Sequence, residues 1–127
     1  MGVIPYTKLP ASADGVILIR WPDPAVQAGL LTGDTGVPFI HPQKSDRSVH
    51  VKGTFGPATV YVEGTLDPED TGQQWDTVAD QLTILLAIAT ADRKLRSLLE
   101  NVYQSRPRVA AGDGTTSLIV TMMFVGR

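Results

Sequence analysis

The stretch Asp46-Arg47-Ser48-Val49-His50-Val51-Lys52-Gly53-Thr54-Phe55-Gly56-Pro57-Ala58-Thr59-Val60-Tyr61-Val62-Glu63-Gly64-Thr65 decides how the chain is read. From Ser48 to Phe55, Val49, Val51 and Phe55 alternate with His50, Lys52 and Thr54. A side-chain period of two belongs to a strand with one face in a core. Gly53 takes the remaining inward position. After Gly56-Pro57, Ala58, Val60 and Val62 alternate with Thr59, Tyr61 and Glu63 in the same way. A two-residue connection with glycine first and proline second suits a type II′ turn, because glycine tolerates positive φ at the first position and proline fits the negative φ of the second. The stretch therefore predicts two half-buried strands joined as a hairpin.

Working outward, Val16 to Trp21 is apolar and rich in β-branched residues, and it ends at Pro22-Asp23-Pro24, which reads as another buried strand. Leu118 to Val125 is apolar on both faces except at Thr121. Such a strand must be covered twice, either between two layers or against another subunit. Tyr103 to Ala110 precedes it, and Gly112-Asp113-Gly114 between them predicts a second hairpin. Twelve glycines and nine prolines, dispersed along the chain, cut it into short apolar pieces of the kind that build sandwiches and barrels. The segment Ala79 to Val102 fits two periods. Leu82, Leu85, Leu86 and Ala89, then Leu95, Leu98, Leu99 and Val102, stand at helical spacing, while Leu82, Ile84, Leu86 and Ile88 alternate as in a strand. Arg93, Lys94 and Arg96 at the start of the second half would oppose the macrodipole of a helix beginning there. The reading adopted is a strand from Asp80 to Ala89, then one short helix around residues 92–100 with Asp92 as N-cap.

With 127 residues, 43% of them apolar and 19% charged, the chain has room for one domain and one sizeable core. Residues 1–15 read as an N-terminal arm kept extended by Pro5 and Pro10, and residues 16–127 as a single all-β, antiparallel sandwich. There is no cysteine, so neither a disulfide nor a thiolate metal site is available. A net charge of −2 without a large Lys/Arg cluster argues against nucleic acid as a partner. The longest apolar runs, Val16 to Ile19 and Ile84 to Ala89, are far shorter than a bilayer requires, and the first residues lack the basic-then-apolar pattern of a secretion signal. No membrane association is expected.

Site chemistry is sparse. His41 and His50 stand nine positions apart with no carboxylate at ligand spacing, so they read as surface or strand-edge residues and no metal is implied. Asp34-Thr35-Gly36 matches the aspartic-protease triplet, but once only and without a flap-like segment, and reads as a turn. The acidic loop Asp67-Pro68-Glu69-Asp70-Thr71-Gly72 offers oxygens to a calcium ion without EF-hand spacing, and reads as a solvated turn. Trp21, Tyr61, Trp75 and Tyr103 form either a sugar-stacking platform or ordinary core and layer-edge packing, the second being preferred. Arg106-Pro107-Arg108 reads as the outward face of a strand, available for salt bridges to a partner. No cofactor and no catalytic residue is assigned, and the chain is read as a non-enzyme.

Three blocks in order, Gly33-Asp34-Thr35-Gly36-Val37-Pro38-Phe39, Asp46 to Gly56 and Ala58 to Thr65, followed by Trp75, Arg106-Pro107-Arg108-Val109 and Gly112-Asp113-Gly114-Thr115-Thr116, resemble the small head decoration or cement proteins of tailed bacteriophages. The likeness runs from about Trp21 to Arg127 and rests on the ordered set, since no single motif is diagnostic. This chain departs from it at Gly64-Thr65-Leu66-Asp67-Pro68-Glu69-Asp70, a longer and more acidic loop, and in the leucine-rich stretch Leu95 to Gln104. The resemblance implies a jelly-roll-like β-sandwich on the outer surface of the phage head, assembled in the host cytoplasm. Its partners would be the major capsid protein and other copies of itself in a dimer or trimer.

The expected interface combines the two-sided apolar strand (Leu118, Val120, Met122, Phe124), the leucine-rich stretch (Leu95, Leu98, Leu99), the basic spot (Arg106, Arg108) and Tyr6 of the arm. Two other readings stay open at this point: a carbohydrate-binding sandwich using Trp21, Tyr61 or Trp75, and a tail or neck component of the same virus.

Overall fold

The computed structural model describes residues 2–11, 13–42, 44, 46–68 and 72–126. Met1 of the expected arm and Glu69, Asp70 and Thr71 of the acidic loop lie outside the described residues. The strands are β1 (Val3–Ile4), β2 (Thr7–Leu9), β3 (Val16–Trp21), β4 (Thr35–Gly36), β5 (Phe39–Ile40), β6 (Asp46–Thr54), β7 (Thr59–Thr65), β8 (Asp76–Thr77), β9 (Ala87–Ile88), β10 (Leu95–Ser97), β11 (Gln104–Ala110) and β12 (Ser117–Val125). They make the two layers of a β-sandwich. One sheet is seven-stranded, ordered β1-β4-β11-β7-β8 with β5 also on β11 and β9 on β7; the other is five-stranded, ordered β10-β6-β12-β3-β2. The fold is all-β as its sequence predicts. It is mixed rather than wholly antiparallel, because β1 runs parallel to β4.

Alternation sets the faces. On β12, Leu118, Val120, Met122 and Phe124 point inward and are fully buried, while Ile119, Thr121, Met123 and Val125 face outward. On β6, Arg47, Val49 and Val51 point inward. Ile19, Trp21, Val49, Val51, Met122 and Phe124 of one sheet meet Val60, Val62, Leu86, Ile88 and Val109 of the other in one core. The Trp21 indole N–H is satisfied within it by Val37 O at 2.9 Å.

Both expected hairpins are corrected. Gly56, at φ 55°, does make its turn, and Ala58 N donates to Phe55 O at 3.0 Å. The strands then part: β6 lies in the five-stranded sheet and β7 in the seven-stranded one. β11 and β12 part in the same way after Gly112-Asp113-Gly114. The two corners touch, Thr116 Oγ1 donating to Phe55 O at 3.0 Å. A two-residue turn fixes where the chain reverses but not which sheet takes up the next strand. Here the longer pairings prevail, β6 along the whole of β12 and β7 along the whole of β11.

The reading of Ala79 to Val102 is also corrected. Among the described residues there is no helix. The helix expected around residues 92–100 is replaced by β10, which pairs with Ser48, Val49 and His50 on the open edge of β6. Asp92 caps backwards, its carboxylate accepting Ala89 N at 2.9 Å, and so closes the turn behind it instead of opening a helix ahead. The strand expected from Asp80 to Ala89 shrinks to β9, preceded by a tight turn closed by the Ala79–Leu85 bridge. Within the expected arm, Val3–Ile4 and Thr7–Leu9 pair with the body of the fold. β1 adds to one sheet beside β4 and β2 to the other beside β3, so the segment ties both layers together. Between them Tyr6 packs edge-on against Trp21 at 5.8 Å and Phe39 at 5.5 Å.

One end of the sandwich is polar inside. His41 and Arg47 are both buried. His41 Nε2 shares a 2.7 Å hydrogen bond with Ser105 Oγ, and its ring lies 4.3 Å from that of Phe124. Arg47 Nη2 donates to Asn101 Oδ1 at 2.7 Å, whereas His41 Nδ1 and Arg47 Nε and Nη1 have no protein partner. Burial first, and the Arg47 charge second, lower the His41 pKa from 6.5 to about 4.

Candidate functional site

The outer faces of the two sheets differ in kind. On the seven-stranded sheet, Glu63 of β7 stands opposite Arg106 of β11. Its Oε1 takes Arg106 Nε at 3.0 Å and its Oε2 takes Arg108 Nε at 2.8 Å. The Arg106 guanidinium lies 4.0 Å from the Trp75 ring centre, and that of Arg108 lies 4.5 Å from Tyr61. Trp75, Arg106, Glu63, Arg108 and Tyr61 thus form a self-satisfied chain across the face. The two arginines expected to reach a partner are held by a carboxylate of their own sheet. Nor do the aromatic residues gather as one platform, since Trp21 is in the core and Tyr61 and Trp75 each lie against a guanidinium.

The five-stranded sheet presents two outward rows fixed by its register. One is Leu95, His50, Thr121, Arg20 and Thr7; the next is Ser97, Ser48, Met123, Leu18 and Leu9. Beside its β10 edge rises the Asp80–Ile84 turn, and sheet and turn together enclose a groove of about 900 Å³. The turn is held firmly. Asp80 Oδ1 accepts Leu82 N at 2.9 Å and Ile84 N at 3.0 Å, and Asp80 Oδ2 takes Arg96 Nη2 at 2.8 Å. The Arg96 bond first, and the two amides after it, hold the Asp80 carboxyl below the usual carboxylate range. Thr83 sits at φ 63°, uncommon for a β-branched residue. The result is a stiff apolar rim: Leu82 is 76% exposed, Ile84 55%, Leu95 54% and Met123 on the floor 38%.

Charge accompanies it. Arg20, Lys52 and Arg93 line the groove, and none has a carboxylate partner among the described residues. Arg20 is steadied over the floor by a 3.4 Å hydrogen bond to Thr121 Oγ1. The remaining cation, Arg96, is paired with Asp80, and Asp92 is taken up by Ala89 N.

Of the interface residues expected from sequence, Leu95 lies on this rim and Leu99 is exposed close to it, its N donating to Ala79 O at 2.7 Å. Leu118, Val120, Met122 and Phe124 do not belong to any surface, because they take the inward alternation of β12, and Leu98, just after β10, is buried in the core as well. Tyr6 is half-buried between the layers. Leu82, Ile84, Arg20, Lys52 and Arg93 were not anticipated. The coincidence of two periods between Leu82 and Ile88 was the available signal, because a run that satisfies both a helix and a strand specifies neither.

The Asp34-Thr35-Gly36 triplet forms a corner of the fold. Asp34 Oδ2 accepts Leu31 N and Gln27 Nε2, both at 2.8 Å, and Asp34 O accepts Val109 N at 2.9 Å. A Cβ on Gly36 would lie 2.6 Å from the Trp21 ring and from Pro107 Cδ, so glycine is required for that close approach. Among the described residues, no three His, Cys, Asp or Glu side chains gather as metal ligands, and no helix is long and apolar enough to cross a membrane.

No protein-family model matches the chain, and no curated protein matches it in sequence. In structure it is similar to the SPBc2 prophage-derived protein YomS, with a TM-score of 0.63 over 93% of this chain and 99% of that one, at 9% identity. At that identity the likeness is one of fold.

Proposed function

We propose that this chain is a structural protein of a bacteriophage virion, bound to the outside of the major capsid shell as a head decoration or cement protein. The observation that carries the reading is the outer face of the five-stranded sheet, where exposed leucine, isoleucine and methionine side chains adjoin cations that have no carboxylate partner among the described residues, on a stiff scaffold. Soluble domains seldom leave such a patch without a partner. Support comes also from the fold shared with a prophage-derived protein along nearly the full length of both chains, and from the ordered likeness to decoration proteins in the sequence.

On this reading the two-layer block is a passive clamp. It binds the assembled lattice in preference to free capsid subunits, and so stabilises the shell by mass action at many equivalent sites. No catalytic group, cofactor, nucleic acid or membrane takes part. Bridging neighbouring capsomers requires more than one contact surface, which self-association as a dimer or trimer supplies.

The test is co-sedimentation of the purified chain with shells that lack it, followed by cryo-microscopy of the particles. Saturable binding with density on the outer head surface is the expected result. Density confined to the portal or tail would make the chain a neck or tail component instead, and absence of binding to any particle would end the virion reading.

A further inference from the structure

The exposed groove has a chemical character specific enough to name its occupant. We propose that it takes an acidic segment of a partner protein in which carboxylates alternate with apolar side chains. The inference rests on the reading of the chain as a surface-binding virion protein and specifies the partner surface it recognises.

The floor and the rim supply the apolar half of the argument. Leu18 and Met123 lie side by side on adjacent strands, and Leu82 and Ile84 overhang them from the Asp80–Ile84 turn. The turn's bonds to Asp80 and Arg96 are made without any ligand, so little ordering remains when a partner docks. An extended segment lying between turn and sheet projects alternate side chains to opposite sides, so its apolar side chains can meet Leu82 and Ile84 of the turn while its carboxylates meet Arg20 and Lys52 of the sheet.

Charge supplies the other half. Arg20, Lys52 and Arg93 come from β3, β6 and the loop before β10, so three separate elements bring to one groove cations that have no carboxylate partner among the described residues, in a chain whose net charge is −2. Each of the other charged groups lining it already has a bond within the fold: Arg96 to Asp80, and Asp92 to Ala89 N. A second copy docked face to face would set these three cations against their own counterparts, which disfavours a symmetric dimer here. Carboxylates of a partner would pair with them, steer the encounter and set the register. A phosphate backbone also carries negative charge but has no alternating apolar side chains to meet Leu82, Ile84 and Met123.

The experiment is an NMR titration of the isotopically labelled full chain with a decapeptide that alternates leucine with aspartate, beside one that alternates leucine with lysine. Amide shifts at Leu18, Arg20, Lys52 and Thr121 are expected with the acidic peptide, with affinity at least about tenfold above the basic one and falling as salt is raised. The triple variant Arg20→Glu, Lys52→Glu, Arg93→Glu should reverse that preference while its own amide spectrum shows the fold intact. Leu82→Ser with Ile84→Ser should weaken both peptides together. Equal binding of the two peptides, shifts confined to the other sheet, tighter binding of a single-stranded oligonucleotide, or self-association that buries the groove would each overturn the inference. Failure here with shells still bound would leave the decoration reading standing; shells unbound with the acidic peptide held would do the reverse.

Discussion

His41 is held neutral by its surroundings, and that has a consequence for stability. Its pKa is lowered from 6.5 to about 4 by burial and by the Arg47 charge. Between those values the unfolded chain binds a proton that the folded chain refuses. Stability should therefore be complete above about pH 6.5, decline as the pH falls towards 4, and draw no further loss from this group below that. The full effect is roughly 3 kcal/mol. Urea unfolding at fixed pH values should show the decline, and His41→Gln should flatten it between pH 6.5 and 4. An unchanged slope in the variant would mean that carboxylates dominate the acid response. Glu63 permits a second prediction at this scale. Its buried carboxylate bridges Arg106 and Arg108, both partly exposed. Glu63→Gln should lower stability by about 1–2 kcal/mol, less than a fully buried pair would lose because solvent screens the arginines. Salt should narrow the difference between the two proteins.

At the scale of elements, the strands and the pairings between them were legible to different degrees. Val49 and Val51, like Val60 and Val62, reveal β6 and β7 because burial on one side imprints a period of two. That period does not say which strand lies alongside. Gly56-Pro57 is equally good chemistry for a hairpin and for the corner it makes, so the partners of β6 and β7 were misassigned while the turn itself was right. On β12 the outward Ile119 and Met123 mask the one-sided pattern that Leu118, Val120, Met122 and Phe124 obey, so the sequence suggests an interface where the structure has core. The rim of the groove was the least legible part. In sequence Leu82 and Ile84 read as alternating residues of a strand from Asp80 to Ala89, whereas the carboxylate of Asp80, by binding both of their amides, turns the chain outward there. The corner where Thr116 meets Phe55 O is buried and joins the two sheet changes. Thr116→Val should therefore cost about 1–2 kcal/mol, because Asp113 N loses its acceptor and Phe55 O keeps only the bond from Ala58 N. Met122→Ala, at the centre of β12, should cost about 2–5 kcal/mol through lost burial and a residual cavity. Thermal unfolding of the two variants should rank them in that order, with Met122→Ala the less stable.

For the whole molecule, the asymmetry of its faces decides how it would act on a shell. On the seven-stranded sheet Glu63 pairs with Arg106 and Arg108, while on the five-stranded side Arg20, Lys52 and, in the loop before β10, Arg93 stand beside apolar side chains with no carboxylate partner among the described residues. On the decoration reading, a block that meets the shell through its five-stranded sheet would bind in a single orientation, and its contribution to the lattice would grow with occupancy. Ligand linkage then gives each site about 2.7 kcal/mol of stabilisation at a hundredfold excess over the dissociation constant, rising only logarithmically beyond that. The disruption temperature of shells should accordingly climb with the logarithm of free chain concentration, without the sharp step that a change in shell structure would produce. The Arg20→Glu, Lys52→Glu, Arg93→Glu variant should follow a parallel line displaced to higher concentration, because it weakens each contact without altering how contacts sum. A variant line that coincides with the original would place the shell contact on some other surface. A step independent of concentration would mean that the chain acts by triggering a rearrangement of the shell, which a rigid clamp held by surface contacts does not require.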